Sequence, residues 1–112
     1  MCRLPRLVLP LLVVASAAGC DALGHRSPGE KLWRKHCAEC HGLGASGNTV
    51  LFMGNPWADL RDDQWRTSGD RNSIEQVVRS GVFAAMPAHD ELSADDMRAL
   101  IDWLYRLRGE AE

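Results

Sequence analysis

The sequence has few aromatic residues, little net charge and no long apolar segment. Aromatic residues make up 6% of the 112 residues, and 13 Lys and Arg stand against 15 Asp and Glu. Because nucleic-acid binding usually needs a strongly basic face, this balance argues against a nucleic-acid partner. The charged fraction of 25% excludes a protein with several membrane spans. The length allows one small domain.

The N-terminal segment has the layout of a secretory signal peptide. Two arginines precede an apolar run from Leu7 to Ala18, and small residues end the segment. The run is shorter than the roughly 20 residues that a membrane-spanning helix requires. We therefore expect residues 1–19 to be a removable signal and residues 20–28 to be a lipidated N-terminus and polar tether.

The segment Ala17-Ala18-Gly19-Cys20 resembles the lipid-attachment box of bacterial lipoproteins. The resemblance implies that Cys20 carries a diacylglycerol thioether and becomes the mature N-terminus. Acyl chains favour membrane attachment by about 0.8 kcal/mol per buried CH₂. Asp21 matches a retention signal for the inner membrane in some Gram-negative lipoproteins. The predicted location is therefore the periplasmic face of the inner membrane, with ordinary cleavage and a soluble periplasmic protein as the alternative.

The motif Cys37-Ala38-Glu39-Cys40-His41 has the C-x-x-C-H spacing at which haem c is attached. Two thiols three positions apart on one helical turn can reach the two vinyl groups of one porphyrin, and the adjacent His41 can then bind the iron. A thioredoxin-like pair needs a βαβ frame that the surrounding sequence does not indicate. A tetrahedral zinc site needs a second ligand pair, and no second Cys pair at suitable spacing exists. We predict one haem c, covalently attached to Cys37 and Cys40.

The second axial ligand must come from outside this motif. The candidates are Met53, Met86, Met97, His25, His36 and His89. Met86 precedes Pro87, which favours extended backbone and places the thioether on a loop where it can lie against the ring. Met97 has the spacing of a core residue in the last helix. We predict Met86 as the ligand, with Met53 as the main alternative.

Over most of the mature chain the sequence resembles a class I cytochrome c. Gly29 and Trp33 match the first helix of that family, and Leu100 and Trp103 match the pair in the last helix that packs against it. The resemblance implies an all-α fold, in which three to five helices wrap around one covalently bound haem c. The cytochrome c domain is expected to extend over residues 29–112.

The middle of the chain resembles the haem domains of the diheme subunit of cbb3-type oxidases. The matching segments are Asn55-Pro56-Trp57-Ala58-Asp59-Leu60, Asp62-Asp63-Gln64-Trp65, Gly69-Asp70 and Met86-Pro87-Ala88. The chain departs from that subunit because it has a single C-x-x-C-H motif and no predicted spanning helix. The resemblance implies a redox role with protein partners such as an oxidase, a reductase or a dehydrogenase.

Helical patterns in the second half of the chain agree with this fold class. Ser93 is predicted to cap the last helix, with Asp96 at N3 and apolar residues recurring at helical spacing. Ser73-Ile74-Glu75-Gln76 has the form of a capping box that opens another helix, which Gly81 ends. Residues 59–65 indicate a weaker helix. The residues expected to line the haem pocket are Leu51, Phe52, Leu60, Trp65, Val78, Val82, Phe83 and Pro87.

These features predict a single-electron carrier rather than an enzyme. Iron held by His41 and Met86 has no open coordination position, and thioether ligation raises the reduction potential relative to two histidines. Trp65 either donates its indole N–H to a haem propionate or packs as a core residue. The alternative function is a haem protein or sensor that reacts with a gas or peroxide after Met86 dissociates, with His89 close enough in sequence to bind iron instead.

Overall fold

The computed structural model describes residues 24–65 and 67–109. The predicted signal segment and the lipidation residue Cys20 lie outside the described residues. Four α-helices follow in chain order: α1 (Pro28–His36), α2 (Ala38–His41), α3 (Arg71–Ser80) and α4 (Ala94–Arg108). A 3-10 turn, Pro56–Ala58, lies between α2 and α3. Within the described ranges no strand forms, which confirms the all-α prediction there. None of these helices is both long and apolar enough to cross a membrane.

Helices α1 and α4 cross in close contact because Gly29 has no side chain. A Cβ at this position would lie 2.1 Å from the carbonyl oxygen of Ala99 and 2.9 Å from the Cβ of Trp103. Trp33, one turn further along α1, is buried in the same core cluster as Leu100 of α4. The predicted packing of the first helix on the last is therefore confirmed.

Both of these helices begin at a capping serine. The Ser27 hydroxyl accepts a hydrogen bond from the backbone N–H of Glu30 at 3.2 Å. The Ser93 hydroxyl accepts one from the backbone N–H of Asp96 at 3.1 Å, as predicted. Each bond satisfies a backbone donor that has no partner within its own helix.

The start of α3 differs from the prediction. The N-cap of α3 is Asp70 and not Ser73. The Asp70 carboxylate accepts a hydrogen bond from the backbone N–H of Ser73 at 3.0 Å. The hydroxyls of Ser68 and Ser73 also donate to this carboxylate. These bonds, with Ser68 the largest contributor, lower the pKa of Asp70 to about 2. Gly81 ends the helix, as predicted, with φ 67° and ψ −173°, a backbone region that is almost restricted to glycine.

Residues 59–65 do not form the predicted helix. The carboxylate of Asp59 accepts a hydrogen bond from the backbone N–H of Arg61 at 2.9 Å, and that of Asp62 accepts one from Gln64 at 3.0 Å. Such local bonds offer the backbone an alternative to the helical ladder. The segment instead folds as a loop that runs along the edge of the site described next.

Candidate functional site

An apolar cleft opens between α1, α3, α4 and the loop that joins α2 to α3. It encloses about 1280 Å³ of space, including solvent at its open mouth. Apolar side chains from all of these elements form its wall, together with Cys37, Cys40, His41 and Met86. The cleft therefore suits a large and mainly apolar ligand.

The two cysteines of the motif lie at the junction of α1 and α2. Cys37 separates the helices, and its backbone N–H donates to the carbonyl oxygen of Trp33 at 2.9 Å. Burial raises the pKa of the Cys37 thiol to about 12, and burial also raises the pKa of Cys40. A redox-active thiol pair needs a thiolate and hence a lowered pKa. The pair is therefore poorly suited to thiol–disulfide exchange.

His41 is held in place by one of its ring nitrogens. Its Nδ1–H donates to the carbonyl oxygen of Ala58, in the 3-10 turn, at 2.8 Å. Burial lowers the pKa of His41, against a smaller opposing effect of this hydrogen bond, so the ring is neutral at pH 7. With the proton on Nδ1, the lone pair of Nε2 remains for a metal ion, as in most metal-binding histidines.

Further contacts fix the backbone around His41. Gly47 has φ 70° and donates its N–H to the carbonyl oxygen of His41 at 2.7 Å. A Cβ on Gly47 would lie 2.6 Å from the carbonyl carbon of Ala58, so the two loop segments are in close contact. The indole N–H of Trp33 donates to the carbonyl oxygen of Gly42 at 3.0 Å. These contacts were not predicted, because a backbone carbonyl has no signature in the sequence.

Met86 enters the cleft from the loop after α3. Val82 and Met86 exchange two backbone hydrogen bonds, each 2.9 Å long, which form an isolated β-bridge and close the turn at residues 83–85. Met86 is half-buried and lines the cleft beside Pro87. The fold thus brings the predicted sulfur ligand into the same cleft as His41.

The other candidate iron ligands lie in different places. Met53 is 73% exposed and outside the cleft wall, and Met97 is buried in the core. His25 is exposed ahead of α1. His36 and His89 do line the cleft, and their ring centroids lie 5.0 Å apart. Among the methionines of the described residues, only Met86 lines the cleft.

The cleft wall contains many of the residues expected to line the pocket. These are Phe52, Leu60, Trp65, Val78, Val82 and Pro87. Phe83 and Leu51 lie outside the wall, and the side chain of Phe83 is fully exposed. Phe83 belongs to the turn that the Val82–Met86 bridge closes, where Ala84 has φ 58°, so it lies on the solvent side. The expectation that Phe83 lines the pocket is therefore corrected.

Trp65 has a buried indole N–H that finds no acceptor among the described residues. The guanidinium of Arg108 lies over its ring, 4.4 Å from the centroid, and also donates to the carbonyl oxygens of Leu60 and Asp62. From the sequence alone, Arg108 is only a basic residue near the end of the last helix. A buried donor without a partner costs roughly 1–3 kcal/mol. An acceptor on a bound ligand would remove that cost.

Comparisons with known proteins show which proteins this chain is similar to. The chain is 29% identical over 94 residues to the cbb3-type cytochrome c oxidase subunit CcoP of Cereibacter sphaeroides, covering 73% of this chain and 30% of that protein. It is 38% identical over 89 residues to the corresponding CcoP of Rhodobacter capsulatus, covering 72% of this chain and 29% of that protein. The chain therefore spans less than a third of the length of these relatives.

A solved structure and a family model extend the comparison. The KustC0563 c-type cytochrome superposes with a TM-score of 0.55 at 27% identity, covering 75% of this chain and 98% of that one. Residues 25–104 match the family described as Cytochrome C oxidase, cbb3-type, subunit III. This match takes in the cysteine pair, His41 and Met86, and the chain belongs to that cytochrome c family.

Proposed function

We propose that this chain is a one-electron carrier with a single haem c, attached through Cys37 and Cys40 and ligated by His41 and Met86. The observation that carries the proposal is the 2.8 Å hydrogen bond from His41 Nδ1–H to the carbonyl oxygen of Ala58, in a cleft that Met86 also lines. An imidazole that donates one nitrogen to the backbone and keeps the other free is a typical metal ligand.

The residues of the cleft fit a haem in three respects. Cys37 and Cys40 supply two thiols at the spacing that thioether attachment requires. The buried indole N–H of Trp65 can donate to a propionate. The rest of the wall is mainly apolar. When bound, a haem supplies one-electron chemistry through its iron.

The residues around the proposed haem favour its reduced state. The thioether of Met86 favours ferrous iron relative to a second imidazole. Apolar side chains of the wall, among them Leu60, Val78 and Val82, solvate the additional positive charge of an oxidised centre poorly. If His41 and Met86 both held the iron, they would leave no coordination position for a substrate. The proposed role is therefore electron transfer and not catalysis.

Carbon monoxide binding tests this role. The reduced wild-type protein should bind carbon monoxide slowly and incompletely, because Met86 occupies the sixth position. Met86→Ala should bind it rapidly and stoichiometrically and should lose the weak red absorption band of sulfur-ligated ferric haem. Met53→Ala is the matched control, since this methionine is exposed and outside the cleft, and should behave as wild type.

Three outcomes would contradict the proposal or a part of it. Rapid, stoichiometric binding of carbon monoxide by the wild-type protein would favour the gas-reactive alternative. Covalently attached haem stays on the protein during denaturing electrophoresis. Exported protein that shows no haem after this treatment would exclude attachment at Cys37 and Cys40. If Met53→Ala, rather than Met86→Ala, loses the red band, the assignment of the sulfur ligand is wrong.

We extend the proposal to the membrane surface and to redox partners. The relatives are subunits of cbb3-type oxidases, and we propose that this chain exchanges electrons with an oxidase, reductase or dehydrogenase. Lipid attachment at Cys20 would hold it at the periplasmic face of the inner membrane. Cys20→Ser should then move the protein from the membrane fraction to the periplasmic fraction. A variant that stays in the membrane fraction would exclude lipidation as the anchor.

A further inference from the structure

Three side chains at the edge of the cleft form a cluster with the donor atoms of a metal site. They are His36, at the end of α1, and His89 and Glu91, in the segment that follows Met86. One ligand atom from each lies within 4.8 Å of the other two. The carboxylate of Glu91 lies 3.3 Å from His89 Nδ1 and 4.0 Å from His36 Nδ1.

The spacing of these atoms is close to that around a tetrahedral ion. Zinc lies roughly 2.0–2.2 Å from nitrogen and oxygen ligands, which places neighbouring ligands roughly 3.3 Å apart. His89 and Glu91, which share a hydrogen bond, already have this separation, and all three ligand atoms lie within 4.8 Å of one another, so a bound ion would require the His36 nitrogen to move closer. Two imidazoles with one carboxylate suit zinc better than magnesium or calcium, which prefer all-oxygen ligands.

Burial and backbone contacts hold the two imidazoles in position. The side chains of His36 and His89 are 15% and 12% exposed, whereas that of Glu91 is 56% exposed. The backbone N–H of His89 donates to the carbonyl oxygen of Val78 in α3 at 2.8 Å. The two histidines thus come from separate elements of the packed domain, and the carboxylate closes the site from the solvent side.

We propose that His36, His89 and Glu91 bind one divalent zinc ion, with water in the fourth position. The three ligands belong to neither the cysteine pair nor the axial pair His41 and Met86. The haem proposal uses none of these three side chains, so protein that binds haem but no zinc would contradict the zinc site alone. The ion would lie on the wall of the cleft, since both imidazoles line it.

Zinc binding to the purified, haem-loaded protein tests the site. Equilibrium dialysis against ZnCl₂, with metal analysis, should give one zinc per chain in the wild type, and the zinc K-edge spectrum should show two imidazole ligands. His89→Gln should weaken zinc binding by more than tenfold, and His36→Gln should do the same. Wild-type protein that takes up no stoichiometric zinc would overturn the proposal.

Glu91→Gln provides a test that does not depend on substituting the half-buried histidines. Its side chain is exposed, so the variant should fold normally, and zinc affinity should fall by about tenfold. Asp90→Asn is the matched control, because it removes one negative charge from the adjacent exposed residue without removing a ligand. If both variants lost zinc affinity equally, the affinity would depend only on surface charge, and the proposed site would be refuted.

Discussion

Replacing Gly81 by Ala should displace Met86 from the cleft. Gly81 ends α3 with φ 67°, and a Cβ there would lie 2.5 Å from the carbonyl oxygen of Met86 and 2.7 Å from the amide nitrogen of Ala88. Because ordinary van der Waals contacts of a Cβ are at least about 3.4 Å long, the segment that carries Met86 must move outward by roughly 1 Å.

The expected cost of this change has two parts. An L-residue at the φ and ψ of Gly81 costs about 1–3 kcal/mol. A methyl group inserted where packing is already tight costs about 1–3 kcal/mol. Gly81→Ala should therefore lose about 2–6 kcal/mol if the fold is kept, which is a large part of the 5–15 kcal/mol typical of a domain. Moving the Met86 segment outward relieves the second part but removes the proposed iron ligand.

Gly54→Ala is the matched control for this experiment. Gly54 has φ 83°, and an added Cβ there would meet nothing within 4 Å, so the variant has the conformational cost without the steric one. Denaturant unfolding should show a loss of about 1–2 kcal/mol, with the red band of sulfur-ligated haem intact. In Gly81→Ala that band should weaken and carbon monoxide should bind rapidly. Equal stability of the two variants, with an intact band in both, would refute the positioning role of Gly81.

Three further variants probe other contacts. Gly29→Ala places a Cβ against the backbone of α4 and should lower the free energy of unfolding by about 1–3 kcal/mol in denaturant. In the control Gly44→Ala the added Cβ has no neighbour within 4 Å, so stability should change little. Equal losses in the two variants would rule out the close helix crossing as the cause. Trp65→Phe should cost the haem-loaded protein about 1 kcal/mol if the indole binds a propionate, whereas a gain in stability would mean that the donor is unpaired. Because Ser68 and Ser73 lower the pKa of Asp70 to about 2, its carboxylate stabilises the fold fully above about pH 4 and loses that effect as the pH falls toward 2. Wild type and Asp70→Ala should therefore differ in urea unfolding at pH 7 and converge near pH 2; a constant difference would contradict the assignment.

Features that depend on local chemistry could be predicted from the sequence. The cap at Ser93 and the end of α3 at Gly81 follow from short-range hydrogen bonding and backbone conformation. The place of Gly29 in the crossing of the first and last helices came from the family resemblance, and the structure shows its physical reason. The C-x-x-C-H motif predicts which residues meet a haem, because its spacing is itself the requirement for attachment.

Features that depend on competition between local signals, or on tertiary contacts, were missed. Asp70 and Ser73 are both good capping residues, and the carboxylate, which accepts from three donors, takes the position. The helix expected at residues 59–65 gives way to side-chain bonds that the aspartates make to the backbone. Phe83 is apolar, as a pocket residue is expected to be, but it lies in the turn that the Val82–Met86 bridge closes and is left in solvent.

The hydrogen bond between His41 and Ala58 has a consequence for the history of this fold. A carbonyl oxygen is common to every amino acid, so substitutions at position 58 leave the acceptor in place as long as the chain keeps its path. The orientation of the His41 imidazole is then conserved if the loop keeps its length and Gly47 keeps its close contact with Ala58. We therefore expect homologues to conserve the backbone path of this loop more closely than its amino-acid sequence. Alignments scored by residue identity will then underestimate how similar the surroundings of His41 are among them.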